Sequence, residues 1–155
     1  MTEQKDNPGI ITHPPVFYIV AVLISIGLNY IYRLSFGRGE MLGNIAILIL
    51  VIGVVVFIAA GKTFRKNKQS PSVHATPVKI YTGGIYGYSR NPIYLAANMF
   101  LISASLYFDN LWMLLMLVPI LYIMTNMVIK KEEAYMQQKF GEEYSDYKKK
   151  VRRWI

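Results

Sequence analysis

MLGNIAILILVIGVVVFIAAG, Met41 to Gly61, runs for 21 residues without an Asp, Glu, Lys or Arg. A helix rises about 1.5 Å per residue and the hydrocarbon core of a bilayer is roughly 30 Å thick, so about 20 apolar residues suffice to cross it. Three further stretches lack charge in the same way: Pro14 to Tyr32, Ile93 to Phe108 and Leu111 to Ile129. Helices of a soluble all-α protein would carry a polar face, and these do not. The fold class expected is therefore all-α integral membrane, with about four transmembrane helices in one membrane domain spanning 1–155. The third stretch, only 16 residues long, needs little tilt, a locally thin bilayer or help from its flanks.

The charges lie between these spans. Of 17 Lys and Arg, six fall between Lys62 and Arg90 and eight between Lys130 and Arg153, whereas only Lys5, Arg33 and Arg38 lie elsewhere. An even number of spans puts the N-terminus, the middle loop and the tail on one side, and the excess of basic residues makes that side cytoplasmic. A net charge of +8 thus reads as topology, and a nucleic-acid role lacks the basic surface of a soluble module. The residues before the first span have neither the basic start nor the small-residue cleavage site of a signal peptide, so that span is expected to remain. With no cysteine in the chain, disulfides, thiolate metal sites and a Cys nucleophile are excluded, and no metal site is expected.

The first two spans (14–61) offer Gly27 and Gly53 for close helix packing and read as scaffold. A loop (62–92) follows, basic and rich in Pro and Ser before it becomes rich in Gly and Tyr. Only Asp109 and Asn110 join the last two spans (93–129), which must form an antiparallel hairpin. That hairpin returns Lys130–Glu133 to the neighbourhood of Arg90–Tyr94. Pro119 is expected to kink the fourth span and open a gap between helices. In the tail (130–155), Met136, Phe140, Tyr144, Tyr147 and Val151 recur every three or four residues, as in an interfacial amphipathic helix, and Gly141 is a candidate interruption.

Two polar, aromatic segments therefore meet at one membrane face. Their tyrosines and Trp154 suit interfacial anchoring, Lys148–Lys150 suit lipid headgroups, and Asn91–Pro92 suits a helix start. Glu132 and Glu133, directly after an apolar span, are costly there unless paired or engaged with a ligand.

The run from Lys79 to Ile155 resembles the C-terminal half of the isoprenylcysteine carboxyl methyltransferase and phospholipid methyltransferase superfamily, especially its short bacterial members. The resemblance rests on G-x-Y-x-x-x-R-[HN]-P-x-Y at Gly84–Tyr94, on the pair Glu132–Glu133, and on F-G-x-E-Y-x-x-Y-x-x-x-V at Phe140–Val151. The 37 residues between Tyr94 and Glu132 match the spacing of the eukaryotic enzymes.

The resemblance implies S-adenosylmethionine (SAM) as cofactor, bound by 78–155, and a lipophilic, isoprenylcysteine-like or lipid substrate in a bacterial plasma membrane. It places cofactor contacts at Val78, Lys79, Ile80, Tyr81, Tyr86, Asn91, Pro92, Ile93, Tyr94 and Glu132, and catalytic roles at Glu132 and Arg90. Chemically, Arg90, Asn91 or a helix N-terminus suits the methionine carboxylate, and Glu132 suits its ammonium. Asn91 stands where the eukaryotic motif has His, so a base at that position does not carry over. Val128 stands where those enzymes have an Arg for the prenylcysteine carboxylate, with Lys130, Lys131 and Arg152 as available replacements. Two other readings stay open: an NADPH-dependent sterol-type reductase, which shares the R-[HN]-P-x-Y element, and a non-catalytic membrane interaction protein of the same fold. The methyl acceptor and the oligomeric state are not legible in the sequence.

Overall fold

A computed structural model describes residues 8–9, 13–37, 39–67 and 76–155. The residues ahead of the first span, Arg38, and the basic Pro- and Ser-containing part of the middle loop at 68–75 fall largely or wholly outside this range. The described residues form helices and no strand. Helix α1 is Pro14–Ile31, α2 is Glu40–Lys66 and α3 is Pro92–Tyr107; α4 (Leu111–Leu115), α5 (Leu117–Ile123), a π-helical turn (Met124–Ile129) and α6 (Lys130–Lys150) then follow one another without a loop. Three helices, Pro14–Ile31, Glu40–Lys66 and the merged Leu111–Lys150, are long and apolar enough to cross a membrane, and Pro92–Tyr107 is apolar but shorter. The chain is an all-α membrane protein. Their outward faces are apolar: Ile19, Leu23, Leu48 and Val55 are each about half exposed or more, which water would penalise and lipid does not.

Packing centres on α3. Along its length it lies against α2, and Gly53 is the reason the two backbones approach so closely. A Cβ at Gly53 would fall 2.9 Å from Phe100 Cε1 and 3.2 Å from Met99 Cβ, whereas one at Gly27 would meet nothing described within 4 Å. Of the two glycines read as packing positions, Gly53 is one. On its other side α3 meets α4 and α5, and α1 joins them through Ala21, which packs with Ile120, Met124 and Val128.

The turn between α3 and α4 is held from outside. Asp109 sits at φ 52, a left-handed conformation tolerated by its short polar side chain. Its Oδ1 accepts from the Phe36 amide at 2.9 Å and its Oδ2 from Arg33 Nη2 at 3.4 Å. Asn110 caps α4 by accepting from the Trp112 amide at 3.1 Å and donates to the Ser25 carbonyl at 3.3 Å. The loop after α1 is thereby tied to the hairpin tip.

Pro119 interrupts the fourth span, but the break lies three residues earlier, at Met116 between α4 and α5. Proline cannot donate to the carbonyl of Leu115, and its ring crowds that carbonyl, so the strain appears one turn upstream. The π-helical turn at 124–129 is a second irregularity; its extra residue per turn changes which face the following side chains occupy. In α6, Gly141 has φ 55 and ψ −122, a sharp change of direction within the helix. Beyond it, Tyr144, Tyr147 and Val151 cluster with Ile80, flanked by Met136 and Phe140. The apolar face expected along the membrane interface is thus partly filled by the chain's own loop.

Candidate functional site

At the end of the bundle where α2 finishes, α3 begins and α6 begins, these elements enclose a cavity of about 770 Å³. The two-residue hairpin connection has the expected effect: it returns Glu132 and Glu133 to the start of α3. Tyr94 Oη donates to Glu132 Oε1 at 2.8 Å, and Arg90 Nη2 contacts Glu133 Oε1 at 3.2 Å. The two carboxylates are adjacent in sequence and differently engaged, one by a phenol and one by guanidinium groups.

Glu132 is partly buried. Burial pushes its carboxyl pKa up from 4.5 to about 7; the Tyr94 hydroxyl opposes that rise, and the charge of Glu133 adds to it. Desolvation disfavours the charged form, and one phenol hydrogen bond compensates only in part. Near neutral pH this carboxyl is poised between its two protonation states.

Glu133 is bound more tightly. Arg153 reaches it with Nε to Oε1 at 2.9 Å and Nη2 to Oε2 at 2.7 Å, a bidentate geometry that is the strongest form of this ion pair. Arg90 is only 10% exposed at its side chain, and its Nε and Nη1 have no hydrogen-bond partner among the described residues. Two donors on this buried cation, shielded from water, are thus without a partner. Tyr144 lies beside them: burial raises its pKa to about 12, Glu133 adds to the rise, and the Arg90 guanidinium pulls against it.

The middle loop forms the wall facing Arg90. A short 3-10 turn, Gly84–Gly87, begins at φ 61, where only glycine is unstrained. It buries Tyr86, whose carbonyl accepts from Tyr147 Oη at 2.7 Å. Burial is the main cause raising the Tyr86 and Tyr147 hydroxyl pKa values; Tyr147, Glu132 and Tyr81 add to the rise at Tyr86, whereas at Tyr147 Tyr144 adds to it and Arg90 opposes it. Phe64 from the end of α2 meets Tyr81 and Tyr86 edge to face, with ring centroids 5.2 and 6.0 Å apart, and the two tyrosine rings lie tilted 6.1 Å from each other.

Of the residues singled out in the sequence, Lys79, Ile80, Tyr81, Tyr86, Arg90, Asn91, Pro92, Ile93, Tyr94 and Glu132 all line this one cavity. Val78 does not; it is 69% exposed. Asn91 spends its amide on the Arg153 carbonyl at 2.9 Å, so it holds the chain and its Nδ2 does not face the cavity free. Val128 is fully buried against α1 and contributes nothing to the cavity wall. The cations considered in its place are exposed, and Lys130 Nζ binds Asn126 Oδ1 at 2.8 Å.

Sequence reasoning missed two contributors. Spans one and two are walls as well as support: Tyr18, Ile19, Phe57, Gly61 and Phe64 line the cavity, and Tyr18 Oη donates to Asn98 Oδ1 at 2.9 Å within the bundle. Tyr18, one of the few hydroxyls in the first span, was the available signal. Arg153 was the other, and nothing local in the basic tail distinguishes it from Arg152.

Four apolar helices with a largely apolar cavity at one end, into whose lining Arg90, Glu132 and Glu133 are set, define a membrane-embedded helical protein with a chemically equipped site. Residues 41–143, about two thirds of the chain, match the phospholipid methyltransferase family, and the chain belongs to that family. It is also similar to an uncharacterized protein of Haemophilus influenzae, with 35% identity over 63 residues that cover 41% of this chain and all of the relative. No solved structure matches it. Membership supports methyl transfer as the activity at a coarse level.

Proposed function

We propose that the chain is an integral membrane SAM-dependent methyltransferase acting on a lipophilic acceptor, an isoprenylcysteine-like compound or a lipid. One observation carries this reading: a single cavity holds a buried guanidinium with two unused donors, at Arg90, and a separate carboxylate held by a phenol, at Glu132. The amino-acid end of SAM is a carboxylate beside an ammonium, and these two corners complement it. Buried donors on a cation are costly unless a ligand engages them. The aromatic wall of Phe64, Tyr81 and Tyr86 suits a flat heterocycle, and the loop at 78–81 offers backbone donors and acceptors beside it.

When bound, SAM supplies a methyl group on a sulfonium whose departure leaves a neutral thioether. The protein's part is to hold the acceptor in line with that methyl carbon and to keep water away. Ile19, Phe57, Ala97 and Phe100 give the cavity an apolar side reaching into the bundle, where a hydrocarbon tail is stabilised by burial. An amine or thiol acceptor must lose a proton, and the Glu132 carboxylate, with a pKa near 7, accepts it efficiently at neutral pH. A carboxylate acceptor needs no such base.

In this reading 78–155 is the cofactor-binding half, with α1 and α2 closing the lipid side. The basic loop and tail lie in the cytoplasm, where SAM is available, and the membrane is the bacterial plasma membrane. Calorimetric titration of detergent-purified protein tests it. S-adenosylhomocysteine is expected to bind and NADPH is not; Glu132→Ala and Tyr94→Ala are each expected to weaken S-adenosylhomocysteine at least about tenfold, the worth of one charge-assisted hydrogen bond. Binding of NADPH alone would favour the reductase reading, and binding of neither would leave a non-catalytic membrane protein.

A further inference from the structure

Arg153 lies 20 residues beyond Glu133 and yet spans both of its carboxylate oxygens. The segment carrying it is fixed on three sides. The Arg90 amide donates to the Arg152 carbonyl at 3.1 Å; Asn91 Nδ2 and, at 3.5 Å, Ser89 Oγ donate to the Arg153 carbonyl; and Val151 is buried in the cluster with Ile80. The strip 151–153 is thus laid along 89–91, immediately before α3, after the turn at Gly141 has redirected α6.

We propose that Arg153 is a positioning residue that keeps Arg90 available to an anionic ligand group by neutralising Glu133. With Arg153 in place, Glu133 gives Arg90 a single contact, Nη2 to Oε1 at 3.2 Å, and Nε and Nη1, shielded from water, have no hydrogen-bond partner among the described residues. Two guanidinium groups then face one carboxylate, leaving net positive charge in a corner where Arg90 and Glu133 are only 10% and 12% exposed. Without Arg153, Glu133 has an uncompensated oxygen next to Arg90, and the favoured outcome is a bidentate Arg90–Glu133 pair that consumes the open donors. Asn91 takes part by its backbone grip on Arg153, which gives that side chain a role distinct from a base. The ligand group is a carboxylate, and within the proposed function it is that of the SAM methionine moiety, so the inference rests on that reading.

A charge-balance rescue tests it on the full chain. Affinity for S-adenosylhomocysteine is measured by calorimetry for wild type, Arg153→Gln, and the double variant Glu133→Gln/Arg153→Gln, with the thermal midpoint of each recorded. Arg153→Gln is expected to weaken binding at least about tenfold, and the double variant to return to within about threefold of wild type, because removal of the Glu133 charge releases Arg90 again. Unchanged affinity in Arg153→Gln, or a double variant as weak as the single one, would overturn the inference; the second result would make Arg153 a clasp only. If Arg153→Gln does not fold, Arg153→Lys, which can reach one oxygen, is compared with Glu133→Gln/Arg153→Lys on the same terms. Wild-type protein that does not bind S-adenosylhomocysteine removes the proposed function and the inference with it, whereas binding by wild type without rescue removes the inference alone.

Discussion

Replacing Glu132 by Gln removes the titration while keeping the side chain's shape and an oxygen to accept from Tyr94. In the folded protein this carboxyl holds its proton up to about pH 7, against 4.5 for its ordinary value. The folded state therefore binds more protons than the unfolded chain between those limits, and stability contributed by Glu132 falls as pH rises through that window. At 1.36 kcal/mol per tenfold change in proton affinity, the interval corresponds to about 3 kcal/mol at most, fully lost above about pH 7. Glu132→Gln does not titrate, so its stability relative to wild type should rise between pH 4.5 and 7 and level off above. The assay is the thermal midpoint of both proteins in one detergent at pH 4.5, 6 and 8. The variant is expected to gain several degrees on wild type between the extremes, a shift of the size such an energy gives a chain of this length. A difference between the two proteins that does not change with pH, or one that shrinks as pH rises, would refute a buried, proton-retaining Glu132.

Two further substitutions probe the architecture. Gly53→Leu should destabilise the bundle by about 1–3 kcal/mol, because its side chain must displace Phe100 or push α2 off α3; Gly27→Leu, with open space around it, should leave the thermal midpoint nearly unchanged, and equal effects at both positions would contradict the packing described. Tyr147→Phe deletes the bond to the buried Tyr86 carbonyl, costing about 1–3 kcal/mol; limited proteolysis should then cleave the Gly84–Gly87 turn faster, and an unaltered cleavage rate would show that the bond does not hold the turn.

The fold was legible because the hydrocarbon core imposes a length and a composition together. Met41–Gly61 and two of its counterparts satisfy both, Ile93–Phe108 meets the composition but is shorter, and a hairpin with two connecting residues leaves one arrangement for the last two spans. The meeting of Tyr94 with Glu132 follows from that geometry. What lay beyond reach were features set by register and by distant contacts. Pro119 announced a distortion, but its displacement to Met116 depends on which carbonyl loses its donor. The π-helical turn at 124–129 has no composition of its own, and it accompanies a Val128 that faces α1 and lies outside the cavity wall. Tyr18 lies in a span that reads as scaffold, and its role shows only when Asn98 is seen opposite it. Arg153 reads as one of several topology charges; only the reversal at Gly141 and the grip of Asn91 on its backbone bring it to Glu133.

The most direct test is transfer of labelled methyl from SAM into lipid. Membranes containing the wild-type chain, the Glu132→Ala variant or no added protein are incubated with methyl-labelled SAM and extracted with organic solvent. Label should enter the organic phase with the wild-type chain at a rate at least about tenfold above that with Glu132→Ala at limiting SAM, the factor expected from the weakened cofactor binding of that variant. Equal incorporation in all three samples, although wild type binds S-adenosylhomocysteine, would contradict methyl transfer to a lipophilic acceptor.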